Sequence, residues 1–310
     1  MARSGSYNYN ISRNDLITLA FRETNIYSKN EDIRSDDMNF AIARLNIMIK
    51  FWQAQGLALW NRKQATLFPA YQDRQYSISN TGDHCANSYV SSTLSADEAL
   101  GQTVLSVTST TGMTAADNVG IELDDSSRQW TTIVSVDSST QITVTATLTA
   151  AAASGNTIIA YTNKIADRPL RILNARSVDL KNSNTAVKMN TIGHDEYFNL
   201  PTKDLDGNPN SYFYDKQLDA GILYLFPRPN KVSQLIEFTY HESFEDMDSS
   251  TDDFDFPAEW FEVLLTNLKL KLAGSYGMEA IIPRLQQEAA ESLALAQFFD
   301  ADEESIKFNL

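Results

Sequence analysis

The stretch SDDMNFAIARLNIMIKFWQAQG, Ser35 to Gly56, carries the clearest periodicity in the chain. Met38, Ala41, Ile42, Leu45, Met48, Ile49 and Trp52 recur at intervals of three and four, which places them in one stripe along an α-helix. Ser35 is positioned to cap that helix, and Asp36 and Asp37 sit where the helix dipole favours anions. Gly56 supplies a left-handed stop. A helix with one apolar stripe cannot cover that stripe by itself. Its partners must come from elsewhere in the chain.

Upstream, Ser12 followed by Asp15 resembles a capping box, with Asp in place of the usual Glu. Leu16, Ile17, Leu19, Ala20 and Phe21 then give a short helix an apolar face. At the far end of the sequence, Pro257 suits the first turn of a helix carrying Trp260, Phe261, Leu264, Leu265, Leu268 and Leu272, with Gly274 as its stop. Pro283 opens a last helix, with Leu285, Ala289, Leu293, Ala296 and Phe299 spaced for burial. Neither terminal region is long enough to fold alone, so the two are expected to pack together as one discontinuous helical bundle. Trp52, Trp60, Trp260 and Phe261 are the expected packing and subunit-interface residues. The final ten residues are acidic, but Ile306, Phe308 and Leu310 alternate, which suits a segment that orders on a partner.

Between the helical ends the pattern becomes extended. From Gly101 to Ala150, nineteen of fifty residues are Ser or Thr, and Arg128 is the single base. Short alternating runs cover Thr103–Val107, Val119–Leu123, Trp130–Val136, Gln141–Leu148 and Asn156–Tyr161. Turn residues separate them at Thr111-Gly112, Asp124 to Ser127 and Ser154-Gly155. Leu94 to Thr162 therefore reads as a small all-β barrel or sandwich inserted into a host. The host resumes with strand pieces at Arg171–Leu173 and Val178–Leu180, a turn at Asp206 to Pro209, and strands at Tyr212–Asp215, Gly221–Phe226 and Leu235–Tyr240. The expected class is α+β, divided as 1–60 helical, 61–93 extended host, 94–162 inserted β-domain, 163–245 β host, 246–300 helical and 301–310 tail.

The chain has 310 residues, with 25 Lys and Arg against 40 Asp and Glu, a formal charge of −15. That balance argues against gripping nucleic acid across the whole surface and against docking on anionic membranes. Glu237 to Glu259 contains nine carboxylates and no Lys or Arg, which reads as a solvated acidic stretch. A single cysteine, Cys85, excludes a disulfide framework and a four-cysteine zinc site. No window approaches a membrane span, and the first residues lack the apolar core of a signal peptide.

Catalytic readings are thin. His84 and Cys85 are adjacent, so on a strand they point to opposite faces, against a nucleophile pair. His194, Asp195 and Glu196 would need further ligands from distant positions to hold zinc. Asp204, Asp206 and Asn208 suggest a calcium loop, but Gly207 comes two positions too early and no bidentate Glu follows. Phosphate loops, nucleophile elbows and dinucleotide fingerprints are missing. No catalytic residue, metal or cofactor is expected.

Three segments carry a resemblance. RLNIMIKFWQAQGLALW (Arg44 to Trp60), YFYDKQLDAGILYLFPRPN (Tyr212 to Asn230) and FPAEWFEVLLTNLKLKLAGSYGM (Phe256 to Met278), in this order, resemble the head-to-tail adaptor proteins of tailed bacteriophages, particularly those of short-tailed phages. The likeness spans nearly all of the chain outside Leu94 to Thr162. It implies a non-enzymatic virion protein at the head–tail junction, assembled in the cytoplasm of a bacterial host as a homo-oligomeric ring of about twelve copies. The ring would sit below the portal protein and extend the DNA channel. It would carry the tail nozzle, tailspike or fibre proteins, while double-stranded DNA passes without sequence-specific binding. Ile306, Phe308 and Leu310 would dock on the portal. An acidic wall would repel phosphates and let the genome slide. Two rivals remain: a receptor- or carbohydrate-binding tail protein that uses the inserted β-domain and Trp130, and an enzyme built on His84 or His194.

Overall fold

The computed structural model describes residues 9–55, 61–182, 185–247, 249 and 256–299. The fold is α+β. Two compact units are present. One is drawn from both ends of the chain, Met1–Asn61 with Phe244–Leu310, and the other is continuous, Arg62–Ser243. Five α-helices occur among the described residues: α1 (Arg13–Glu23), α2 (Ser35–Gln55), α3 (His194–Phe198), α4 (Phe261–Ser275) and α5 (Ile282–Phe299).

In the helical unit, one apolar cluster joins the two chain ends. Leu16, Ile17 and Phe21 of α1, Leu45, Ile49 and Trp52 of α2, and Trp260, Leu264, Leu268 and Leu272 around α4 are all buried in it. Each such side chain contributes about 1.5–3 kcal/mol by leaving water. Helix α4 is the hub, packing on α1, α2 and α5. Ser12 caps α1 by accepting from the Asp15 amide at 3.2 Å and donating to its carboxylate at 2.7 Å. Asp37 accepts from the Tyr276 hydroxyl at 2.5 Å and from that of Tyr27, tying the α1–α2 loop and the end of α4 to the start of α2. The nearly buried Lys269 of α4 reaches Glu23 of α1 at 2.9 Å.

Two expected boundaries differ. Ser35 is the first helical residue and not the cap, since the Met38 amide already bonds to the Arg34 carbonyl at 3.0 Å. Gly274 lies inside α4. The chain leaves the helix at Gly277, where φ is +72°, a left-handed turn that glycine adopts without the Cβ clash. Gly56 lies outside the described residues.

The β unit starts with β1 (Arg62–Leu67), β2 (Gln75–Ile78) and β3 (Cys85–Ala86). Six strands follow: β4 (Val90–Thr93), β5 (Val104–Ser106), β6 (Asn118–Glu122), β7 (Arg128–Ser138), β8 (Gln141–Val144) and β9 (Thr157–Tyr161). They hydrogen-bond in the order β4-β9-β6-β7-β8-β5. The two outer strands of that order meet. Leu94 bridges Val107, the Thr108 amide reaches the Thr93 carbonyl at 2.8 Å, and the Ser95 amide reaches that of Ser106 at 2.9 Å. The inserted domain is thus a closed barrel and not a sandwich. Leu105, Val119, Ile121, Ile133, Ile142, Val144 and Ile158 fill it. The strictly alternating run Gln141–Leu148 forms a strand only as far as Val144; Leu148 then turns inward, its amide bonded to the Gln102 carbonyl at 2.9 Å.

The host continues through β10 (Arg171–Asp179), β11 (Thr185–Lys188), β12 (Asn190–Thr191), β13 (Asp206–Gly207), β14 (Ser211–Lys216), β15 (Gly221–Phe226), β16 (Arg228–Pro229) and β17 (Gln234–His241). One sheet runs β11-β10-β17-β1-β3 and another β12-β14-β15-β2. Ala65, Leu67, Ile236, Phe238 and Tyr240 of the first form a common core with Tyr76, Ile78, Tyr212, Leu223 and Leu225 of the second. The pieces at Arg171–Leu173 and Val178–Leu180 belong to one strand, β10, interrupted by a bulge at Leu173 that keeps both halves in register with β17. Asp206-Gly207 is no turn: it pairs in parallel with Arg228-Pro229. Barrel and host meet through Phe68, Ile159, Tyr161 and Leu235, flanked by Tyr89 and Trp130.

Candidate interaction surfaces

Helix α2 is apolar on two opposite sides. At 100° per residue, the buried Ala41, Leu45, Met48 and Trp52 share one sector. Phe40, Ala43, Ile47, Phe51 and Ala54 share the sector facing away from it, and all five are exposed. Ile47 and Phe51 leave 62% and 59% of their surface in water. Arg44 lies beside this second stripe, its guanidinium carbon 5.6 Å from the Phe40 ring centre. Lys50 borders the other side and pairs with Asp246 at 2.8 Å. From Met38 to Gln55 there is no carboxylate.

Helix α5 repeats the arrangement with opposite charge. Leu285 and Ala289 are buried, while Ala290, Ala294, Leu295 and Phe298 are exposed, the last two at 71% and 84%. Glu288 and Glu291 accompany them; Arg284 in the first turn, the one base of the helix, pairs with Glu288 at 3.5 Å and leaves Glu291 without a cation on α5. Exposed apolar residues gathered on one helix face, and not scattered singly, are candidates for contact with another molecule.

Three of the residues expected to pack or to form an interface do pack within the chain. Trp52, Trp260 and Phe261 lie in the helical core, with the two indoles edge to face at 6.1 Å. Their rings fill the chain's own interior and leave almost no surface for a neighbour. Trp60, Ile306, Phe308 and Leu310 lie outside the described residues. Phe40, Ile47 and Phe51 were legible as a 40/47/51 repeat, but it is masked by the stronger stripe on the other side of the same helix.

The titratable candidates do not assemble into a reaction site. Burial, helped by Lys164 and Arg128, pushes the His84 imidazole down to about 4. Its ring stacks on Trp130 at 3.7 Å, and Nδ1 lies 2.5 Å from the Tyr161 hydroxyl. Cys85 points into the host core, where burial pushes its thiol far up and leaves no thiolate to attack with. His194 is exposed, 3.3 Å from Asp195. His241 is pushed down by burial and by Arg62 and Arg171, the residues opposite it on β1 and β10. Asp204 and Asp206 face guanidinium groups of Arg74 and Arg228. The Arg228 hydrogen bond holds the Asp206 carboxyl below its ordinary range. Among the described residues no three His, Cys, Asp or Glu side chains are grouped to hold a metal ion.

Two polar features remain. An open hollow of about 590 Å³ lies on the β11-β10-β17-β1 face, lined by Gln64, Asn174, Arg176, Lys188, Glu237 and Thr239 among others. Its Arg176 and Glu237 neutralise each other at 2.6 Å. At the barrel–host seam, Arg128 donates through Nη2 to the Val232 carbonyl, while its buried Nε and Nη1 have no acceptor. Burial pulls this guanidinium down to about 10. Trp130, the aromatic that a glycan-binding barrel would present, is occupied by His84, Phe68 and Arg128. No described helix is long and apolar enough to cross a membrane. Comparison with protein-family models and with curated proteins finds no match for this chain.

Proposed function

We propose that this chain is a non-catalytic structural subunit that assembles with copies of itself, and that the assembly is a head-to-tail adaptor ring of a tailed bacteriophage. One observation carries the reading: α2 presents Phe40, Ala43, Ile47, Phe51 and Ala54 to water on the side facing away from a completed core. Ile47 and Phe51 keep 62% and 59% of their surface in water, so each forgoes about 1–2 kcal/mol that a neighbouring subunit would recover. The three ordered segments that resemble adaptor proteins give the assembly its identity. On this reading the partners are about eleven further copies, the portal protein, a tail nozzle, spike or fibre protein, and double-stranded DNA passing without sequence readout. The location is the virion head–tail junction.

Native mass spectrometry of the full chain, alone and with the portal protein of the same phage, tests this. A closed oligomer that adds to the portal supports it. A monomer that ignores the portal overturns it. Excising residues 90–161 separates the adhesion alternative: the oligomer persists on the adaptor reading, because the α2 and α5 stripes lie outside the excised stretch, and thermal melting checks that the host stays folded without the contacts of Ile159 and Tyr161 to Phe68 and Leu235.

A further inference from the structure

Resting on that self-assembly reading, we infer that the contact is heterologous: the outward stripe of α2 on one copy is covered by the outward stripe of α5 on the next. The alternative of α2 packing on α2 of a second copy is disfavoured by charge. Lys50 at one border of that stripe is already paired with Asp246, but Arg44 at the other has no carboxylate on the helix between Met38 and Gln55, so a two-fold pairing offers Arg44 no acidic partner. The covering helix must instead bring apolar side chains together with carboxylates and few cations.

Helix α5 has that make-up. Leu295 and Phe298 supply the apolar contact, Ala290 and Ala294 allow close approach, and the exposed Glu291 faces outward to meet Arg44, while Lys50 and Glu288 keep their own partners Asp246 and Arg284. Both stripes face away from the core of the same unit, so neither can cover the other within one chain. A contact between two different patches passes from copy to copy and closes into a ring when the rotation permits. A two-fold contact would stop at a dimer. Charge pairing of this type also fixes partner choice and register.

The experiment uses three full-length proteins: wild type, an α2 variant (Ile47→Glu with Phe51→Glu) and an α5 variant (Leu295→Lys with Phe298→Lys). Circular dichroism and thermal melting check that each is folded; the substituted side chains are solvent-exposed and outside the core. Native mass spectrometry then reads mass. Wild type is expected as a closed oligomer and each variant alone as a monomer. An equimolar mixture of the two variants is expected as a 1:1 heterodimer and nothing larger, because one intact α2 stripe meets one intact α5 stripe. A second pair, Arg44→Glu and Glu291→Arg, is expected to weaken assembly at least tenfold singly and to recover most of it when both are placed in one chain. If the α5 variant assembles like wild type, or the mixture stays monomeric, the heterologous contact is overturned while self-assembly stands. If wild type itself is a monomer, the self-assembly reading falls and this contact with it.

Discussion

The inserted barrel and the helical unit solve the same problem in opposite ways. The barrel is one continuous stretch, β4 to β9, whose six strands close on each other through Leu94 and Val107. Its core residues point inward, and its outer wall is largely Ser and Thr, with Leu100, Val104, Val134 and Val136 exposed among them. Contact between β4 and β5 around residues 93–95 and 106–108 pairs part of the two outer edges, so most of the barrel's backbone bonding is satisfied within its own strands. The helical unit is assembled from the two ends of the chain around α4, and its helices α2 and α5 carry apolar residues on their outer faces as well. One region pairs its strands within itself; the other completes its core and still carries apolar side chains on the outer faces of α2 and α5.

The largest effect should come from breaking the helical core. Trp260→Ala removes a side chain packed against Trp52 and Phe256 and is expected to cost about 3–5 kcal/mol in chemical denaturation. Hydrogen exchange should localise the loss to α1, α2 and α4 and spare the barrel. An equal loss of protection in β4–β9 would mean the two regions are not independent.

Acid should separate them next. His84, at the barrel–host seam, takes a proton at about 4 when folded and near 6.5 when unfolded. The unfolded chain binds the extra proton across that window, so β-unit stability falls as pH drops from about 6.5 towards 4. Asp37, bonded by Tyr27 and Tyr276, is held below its ordinary 3.8. Its contribution to the helical unit is present above that value and lost only as pH falls through the lower, folded one. Thermal melts of His84→Phe and Asp37→Asn against pH should flatten these two windows separately; a shared window would remove the distinction.

Smaller effects follow. Ile142→Val in the barrel should cost about 0.5–1.5 kcal/mol, the ordinary loss of one buried methyl, with no change in oligomeric mass. Arg128→Met should change stability by about 1 kcal/mol or less, because the lost bond to Val232 is offset by removing two buried donors that have no acceptor. A loss of several kcal/mol would show that those donors are satisfied in solution.

Much of the fold was legible because its signals are local. The buried stripe of α2, the cap of α1 and the apolar faces of α1 and α4 follow from spacing, and the β-rich middle follows from its Ser/Thr alternation. Closure of the barrel was not legible, since pairing Leu94 with Val107 depends on where non-adjacent strands lie. Gly274 and Gly277 both qualify as stops, and only the backbone distinguishes the one with positive φ. The outward apolar stripe of α2 was hidden for a related reason. A helix that is apolar on two sides shows no contrast between its faces, so Trp52 and Trp260 drew notice while Ile47 and Phe51 did not.

Sedimentation velocity of the full chain across micromolar concentrations, wild type beside Phe51→Glu, tests the central claim most directly. The account predicts a wild-type oligomer of many copies, and a folded Phe51→Glu monomer whose stability differs by about 0.5 kcal/mol or less. A wild-type monomer throughout, or a Phe51→Glu protein that assembles as wild type does, would contradict it.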